Sequence, residues 1–241
     1  MKRIMLMVIR LFYMAPQWFY RICKYGKSEE YTEEQRYQVI KDKICDINRA
    51  GRVIIDAHGM ENLPKEGGYI MYPNHQGLFD TLSIFESHEK PFTVVLKKEM
   101  ENVFFIKQII RLLKAQVMDR DDVRQSMKVI MQMAKEVKEG RRYVIFAEGT
   151  RSRNGNELLD FKAGSFKAAT SAKCPIVPVA LIDAYKAFDT NSIKKVTVQI
   201  HYLPPMYYEE YKDMKSGEIA VEVRRRIEEV IKANEHKYEG Q

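Results

Sequence analysis

The stretch that most constrains this chain is Tyr72-Pro73-Asn74-His75-Gln76-Gly77-Leu78-Phe79-Asp80. It follows an apolar run, Gly68-Tyr69-Ile70-Met71, that reads as a strand, and Leu78 to Phe85 then reads as a helix. His75 therefore stands where a strand ends and a helix begins, which is where open α/β sheets bind ligands. Asp80 follows five residues on. Residues five apart inside one helix do not share a face. With His75 just ahead of the helix and Asp80 in its first turns, the acid leans back toward the N-terminus. Its carboxylate then bonds one imidazole nitrogen, fixes the tautomer and leaves the other nitrogen as a base. The competing reading is a satisfied loop histidine with Asp80 as an ordinary early-helix acid.

A base held by an acid needs a group to deprotonate. The chain has no Gly-x-Ser-x-Gly elbow; Ala163-Gly164-Ser165-Phe166 does not match it. The nucleophile expected is a hydroxyl on the substrate.

Three further blocks follow in order: Val117-Met118-Asp119-Arg120, then Phe146-Ala147-Glu148-Gly149-Thr150-Arg151-Ser152, then Pro175-Ile176-Val177-Pro178-Val179, with Phe161-Lys162-Ala163-Gly164 between the last two. With His75 through Asp80 they make the stretch from Gly51 to Leu203 resemble the 1-acylglycerol-3-phosphate (lysophosphatidic acid) acyltransferases of the glycerolipid acyltransferase superfamily. Ala147 stands where that family usually has proline, and Ala115-Gln116 where a glycine is common. Neither replaces a charged group, so both bear on subfamily and substrate rather than on reaction type.

The resemblance implies transfer of an acyl chain from a thioester, acyl-CoA or acyl-carrier protein, to the sn-2 hydroxyl of lysophosphatidic acid, giving phosphatidic acid. His75 would be the general base and Asp80 its orienting acid. It assigns Arg120 to the glycerol phosphate, which suits a guanidinium that donates two parallel hydrogen bonds. It places Glu148, Gly149, Thr150 and Arg151 in the phosphate and acceptor pocket. Thr150 and Arg151 supply donors and Gly149 a close backbone approach. A carboxylate does not bind a phosphate dianion, so Glu148 is expected to orient Arg151 or Arg120, or to accept from a substrate hydroxyl. Lys97, at a strand end where the family tends to have lysine, would stabilise the oxyanion with backbone N–H groups of the histidine loop, or hold a phosphate. Lys97 also reads as a solvated strand end, and the Glu148 block as a polar turn with a structural salt bridge. The chemistry requires no metal and no cofactor. The alternatives are a related acyltransferase on another lysolipid, a non-catalytic lipid-binding homologue, and a metal-dependent phosphohydrolase on His75, Asp80 and Glu148. The last lacks a second His or Asp cluster.

The expected fold is α/β, a mostly parallel central sheet flanked by helices, with an N-terminal two-helix membrane-docking module over residues 1–50 and a catalytic domain over 51–241. The 241 residues suffice for this. Strands are expected at Arg52–Asp56, Phe92–Leu96, Ala115–Met118, Arg142–Phe146, Ile176–Ile182 and Lys195–His201. Pro178 calls for a bulge or an edge. The apolar segment Val103–Leu113 is expected to be buried, the other reading being that it helps hold an acyl chain; Asp121 is expected to cap a helix whose methionines are core, and Ile219, Val223, Ile227 and Ile231 to form one face of the last helix. His58, His88, His201 and His236 lie outside the motifs and read as non-catalytic.

Net charge decides between partners. At +7, the surface favours an anionic membrane or a phosphorylated substrate, and no nucleic-acid motif is present. Cys23, Cys45 and Cys174 are far apart and odd in number, as reduced thiols on the cytoplasmic side are. The first apolar run, Ile4 to Tyr20, is interrupted by Arg10 and Pro16 and is shorter than the roughly 20 apolar residues a span needs. The favoured reading is a peripheral or monotopic interfacial helix, its aromatics buried in lipid and its cations toward lipid phosphate. A true span, a signal peptide and a core-packed helix are the other readings. Thr32-Glu33-Glu34-Gln35 reads as a capping box opening a second helix that stops near Gly51.

Overall fold

The computed structural model describes residues 2–238. Its helices are α1 Lys2–Leu11, α2 Ala15–Lys27, α3 Glu33–Ala50, α4 Asp80–Ser87, α5 Phe104–Leu113, α6 Val123–Lys138, α7 Lys167–Ala172, α8 Tyr185–Phe188, α9 Tyr208–Tyr211 and α10 Ser216–Asn234. Its strands are β1 Val53–His58, β2 Ile70–Pro73, β3 Thr93–Lys97, β4 Gln116–Met118, β5 Tyr143–Val144, β6 Ile176–Ile182 and β7 Val196–Tyr202. They form one seven-stranded sheet in the order β1-β7-β6-β2-β5-β3-β4. Each pairing is parallel except β6 with β7.

The sheet is covered on both faces, and the alternation of side chains along its strands shows it. In β6, Val177, Val179 and Leu181 pack with α3 and α4, while Ile176, Ala180 and Ile182 pack with α6, α7 and α10. Hence β6 is a continuous apolar run, buried at every position. The expected face of α10 is buried as a set. Pro178 sits in this central strand without a bulge in the β2 ladder, where it faces Tyr72. On its other side the β7 ladder begins one residue later, at Val179 opposite Tyr202. There only the Pro178 carbonyl is needed, accepting from the Leu203 N–H at 3.0 Å.

Several local expectations change. The first apolar run is two helices, broken by a 3₁₀ turn at Phe12–Met14, with Pro16 in the first turn of α2 where its missing N–H costs nothing. Arg3 is buried and does not face outward: Nη1 donates to the Gly51 carbonyl at 2.6 Å and Nη2 to that of Lys194 at 2.8 Å. A side chain at Gly51 would collide with Met7, so α1 is seated on the body of the protein. Trp18 is also buried, while Phe12, Tyr13 and Tyr20 are exposed. No described helix is long and apolar enough to cross a membrane. The Thr32–Gln35 capping box opens α3 as expected. Only the end of α5, Leu112 and Leu113, is buried; Phe104 is 71% exposed and stacks on Phe19 of α2 at 5.3 Å. Asp122, not Asp121, caps α6 by accepting from the Gln125 N–H.

Candidate active site

The histidine loop joins β2 to α4 at the carboxyl end of the central strands. Asp80 is the first residue of α4, and its buried carboxylate turns back into the loop. Oδ2 lies 2.7 Å from His75 Nδ1 and accepts from the Gln76 N–H at 2.7 Å and the Gly77 N–H at 3.0 Å. Burial pushes the Asp80 carboxyl above its ordinary range, and the donation from His75 and the two loop amides opposes that shift. With Nδ1 engaged, Nε2 takes no partner among the described residues, and the ring lies 4.2 Å from that of Phe146.

The loop is held from both neighbouring strand ends. Asn74 exchanges hydrogen bonds with the Leu181 backbone, donating at 3.0 Å and accepting at 2.7 Å. Gln76 donates to the Leu181 carbonyl and to Asn156, both at 2.9 Å, and accepts from the Ala184 N–H at 2.8 Å. The His75 carbonyl accepts from the Ser152 N–H at 2.8 Å. Glu148 closes the frame. Its two oxygens accept from the backbone N–H groups of His75, at 2.8 Å, and Leu159, at 3.1 Å. Burial raises this carboxyl to about 7 against those two donors. Glu148 therefore positions the histidine loop and orients neither Arg120 nor Arg151. These contacts also correct the expected oxyanion donors: the N–H groups of His75, Gln76 and Gly77 are all engaged by carboxylates.

Beside this frame lies a cavity of about 740 Å³. Arg120, Glu148, Gly149 and Thr150 line it, with Phe146. Its other walls are Met118, Val123, Met127, Ile130, Ile145 and Leu159, and Lys162 and Lys167 stand among the lining residues. Met127, expected in the core, is 39% exposed and faces this space. Arg120 donates to the Gly149 carbonyl, and Gly149 takes a positive φ of 77° that a larger residue resists. The cavity is thus an apolar trough with cations along it.

Two expected residues are elsewhere. Lys97 ends β3 with its side chain 54% exposed and paired to Glu99 at 2.7 Å, outside the cavity lining. Arg151 lines a separate cavity of about 390 Å³ with Arg153, Tyr185 and Asp189. Among the described residues no group of three or more His, Cys, Asp or Glu is placed to hold a metal ion. The positioning roles of Asn74, Gln76 and Asn156 were not read from the sequence. Two of them lie inside the quoted motif, but their partners are about a hundred residues away, at separations of 107 and 105.

Comparison with known proteins adds an independent line. Residues 54–182 match the family described as Acyltransferase. The 1-acyl-sn-glycerol-3-phosphate acyltransferase of Salmonella typhimurium is 31% identical over 166 residues, 68% of this chain and 67% of its own length. That of Borreliella burgdorferi is 30% identical over 148 residues, 61% of this chain and 59% of its own length. The chain thus spans about three fifths to two thirds of these relatives. The crystal structure of the 1-acyl-sn-glycerophosphate (LPA) acyltransferase PlsC from Thermotoga maritima superposes with a TM-score of 0.73, covering 99% of this chain and 97% of that one at 20% identity. At that identity the likeness speaks for the fold, and it extends over the N-terminal helices. The ordered motifs, the matched segment and the shared fold agree: this chain belongs to the acyltransferase family.

Proposed function

We propose that the protein transfers an acyl chain from a thioester donor to the sn-2 hydroxyl of lysophosphatidic acid, giving phosphatidic acid. The observation that carries the reading is the 2.7 Å contact of His75 Nδ1 with Asp80 while Nε2 stays unengaged. The relatives' printed names supply the acceptor. Asp80 fixes the tautomer in which Nδ1 bears the proton, so Nε2 is the base. The acceptor's hydroxyl gives its proton to Nε2 as the oxygen attacks the thioester carbonyl. A tetrahedral oxyanion forms, the C–S bond breaks, and the thiolate takes the proton back from the imidazolium as it leaves. Arg120 and Thr150 anchor the phosphate and the apolar trough takes the single acyl chain, so the hydroxyl meets His75 in attack geometry. Glu148 acts through the loop and Gly149 through the close approach of its backbone.

The same reading divides the chain into a membrane-associating module, residues 1–50, and a catalytic domain, 51–241. Met5, Val8, Ile9, Phe12, Tyr13 and Tyr20 on and between α1 and α2 are exposed. With the +7 charge they support peripheral docking on an anionic leaflet. Three free cysteines suit its cytoplasmic face.

The test is thiol release from acyl-CoA or acyl-carrier protein on adding lysophosphatidic acid, with liposomes, beside His75→Ala. Release that needs both the acceptor and His75 is the expected result. Release without acceptor makes the protein a thioesterase and overturns the reading.

A further inference from the structure

Just past β6 the chain makes a turn on a residue ill suited to it. Asp183 follows the last residue of the strand and takes a φ of 64°. Residues other than glycine avoid that region, because Cβ crowds the backbone. Five non-glycine residues occupy it among those described, and four of them, Arg52, Lys114, Arg153 and Lys173, are exposed. Asp183 alone is buried, at 2% exposure. A glycine would hold this turn without strain. The side chain therefore stands where the backbone disfavours one.

Both of its carboxylate oxygens are engaged. Oδ1 accepts from Asn156 Nδ2 at 3.1 Å and Oδ2 from Lys186 Nζ at 2.8 Å. The Asp183 N–H donates back to Asn156 Oδ1 at 2.8 Å, so the two residues exchange a pair of hydrogen bonds. That pair fixes which way the Asn156 amide points, and its oxygen also accepts from Gln76 Nε2 at 2.9 Å. The same turn presents the Ala184 and Tyr185 N–H groups to Gln76 Oε1, at 2.8 and 3.4 Å. The Leu181 carbonyl takes the other Gln76 amide proton at 2.9 Å. Every donor and acceptor position of the Gln76 amide is thus filled. The Gln76 backbone N–H donates to the Asp80 oxygen that holds His75 Nδ1. Direct contacts run from Asp183 through Asn156, Gln76 and Asp80 to the imidazole.

We propose that Asp183 is a positioning residue for His75. It lines neither the trough nor the second cavity. Its carboxylate locks the Asn156 amide, and that amide together with the Asp183 turn holds Gln76, and so the loop in which Asp80 meets the imidazole. The effect on turnover rests on His75 being the base of acyl transfer; the ordering of the imidazole does not.

Asp183→Gly tests this, because it removes the side chain while relieving the backbone. Two readouts are taken on the full chain. One is thiol release per folded molecule from acyl-CoA or acyl-carrier protein with lysophosphatidic acid. The other is the imidazole nitrogen–proton spectrum, in which the His75 signal is the one absent from His75→Ala. Asp183→Gly is expected to lower kcat roughly tenfold, the scale of one lost hydrogen bond, with acceptor KM unchanged. Exchange of the His75 Nδ1 proton should quicken by a similar factor. Asn156→Ala is expected to do the same, and the double variant to be no worse than either single one, since both act along one line of contacts. Asp183→Asn, which also tolerates the left-handed region and keeps an oxygen for Asn156, should recover most of the rate. A side chain that only stabilised the turn would move the melting temperature and leave kcat per folded molecule and the His75 signal alone. An unchanged His75 signal in Asp183→Gly overturns the proposal, as does additive loss in the double variant. Wild-type protein that releases no thiol removes the acyl-transfer reading alone, and the imidazole spectrum still decides the role of Asp183.

Discussion

His75 and His88 bracket the same helix. One stands before the first turn of α4 and the other is its C-cap, at the opposite end. His88 is fully buried and both its nitrogens are engaged. Nδ1 lies 2.6 Å from the Lys90 carbonyl, which can only accept, so Nδ1 bears the proton. Nε2 must then accept from the Tyr69 hydroxyl, 2.7 Å away. Burial, with Arg142, Lys41 and Lys90 nearby, lowers its pKa to about 4, so the ring is neutral. His75 has one nitrogen on a carboxylate and the other open, with its side chain 22% exposed. What distinguishes the candidate base is an unengaged imidazole nitrogen, where the structural histidine has none.

The strongest way to break this comparison is His75→Ala. Turnover is expected to fall by about 10²–10⁴, the range for a positioned base, with the melting temperature little changed. A correctly folded variant with near-normal turnover would remove His75 from the chemistry. Asp80→Asn comes next, at roughly 10²-fold in the same assay. The imidazole and both loop amides meet Oδ2, so the amide keeps these contacts only with its oxygen there, as a weaker, uncharged acceptor that no longer stabilises the imidazolium. Turnover unchanged in that variant would make Asp80 a loop acid only.

His88→Phe sharpens the same contrast from the other side. It keeps the ring volume and strands the Tyr69 hydroxyl and the Lys90 carbonyl, at a cost of about 1–3 kcal/mol in a urea melt with turnover unchanged. The pH dependence has a definite sign. Between the ordinary histidine value and about 4 the unfolded chain binds the proton and the native chain does not. His88 therefore contributes stability that is complete above the ordinary value and is lost as pH falls toward 4. In the variant that slope should flatten; an unchanged slope assigns acid sensitivity elsewhere.

The sheet was legible because its strands announce themselves. Ile176–Ile182 is β6 to the residue: seven apolar residues, with isoleucine and valine prominent, are too short a run for a buried helix and suit a strand buried on both faces. The His75–Asp80 contact was legible because loop and helix start are contiguous in sequence. What escaped depended on distant partners. Arg3 looks like a headgroup cation until Gly51 and Lys194 present their carbonyls to it. Phe104 looks like core until α5 is found resting on Phe19 at the surface. Arg151 looks like a companion of Thr150, but the two line different cavities.

Glu148 is the residue whose role moved most, and it offers the finest test of why Nε2 of His75 stays open. Its carboxylate accepts from two backbone N–H groups, one on each oxygen. Glu148→Gln replaces one acceptor by a donor, so one buried N–H loses its partner or the amide turns and frees the other. The expected cost is about 1–3 kcal/mol of stability, and roughly tenfold in turnover as the loop loosens around His75. Substrate KM should be nearly unchanged, because the carboxylate acts through the loop; a large rise in acceptor KM with unchanged turnover would make Glu148 a substrate ligand instead. The pH sign is opposite to that of His88. The native chain holds a proton on Glu148 up to about 7, while the unfolded chain releases it near the ordinary value of 4.5. Its contribution to stability therefore falls as pH rises across that window, and the glutamine variant, which does not titrate, loses that fall. Thermal melts of both proteins between those limits read the difference directly. Parallel curves would mean that the two N–H donors outweigh burial and keep Glu148 ionised throughout.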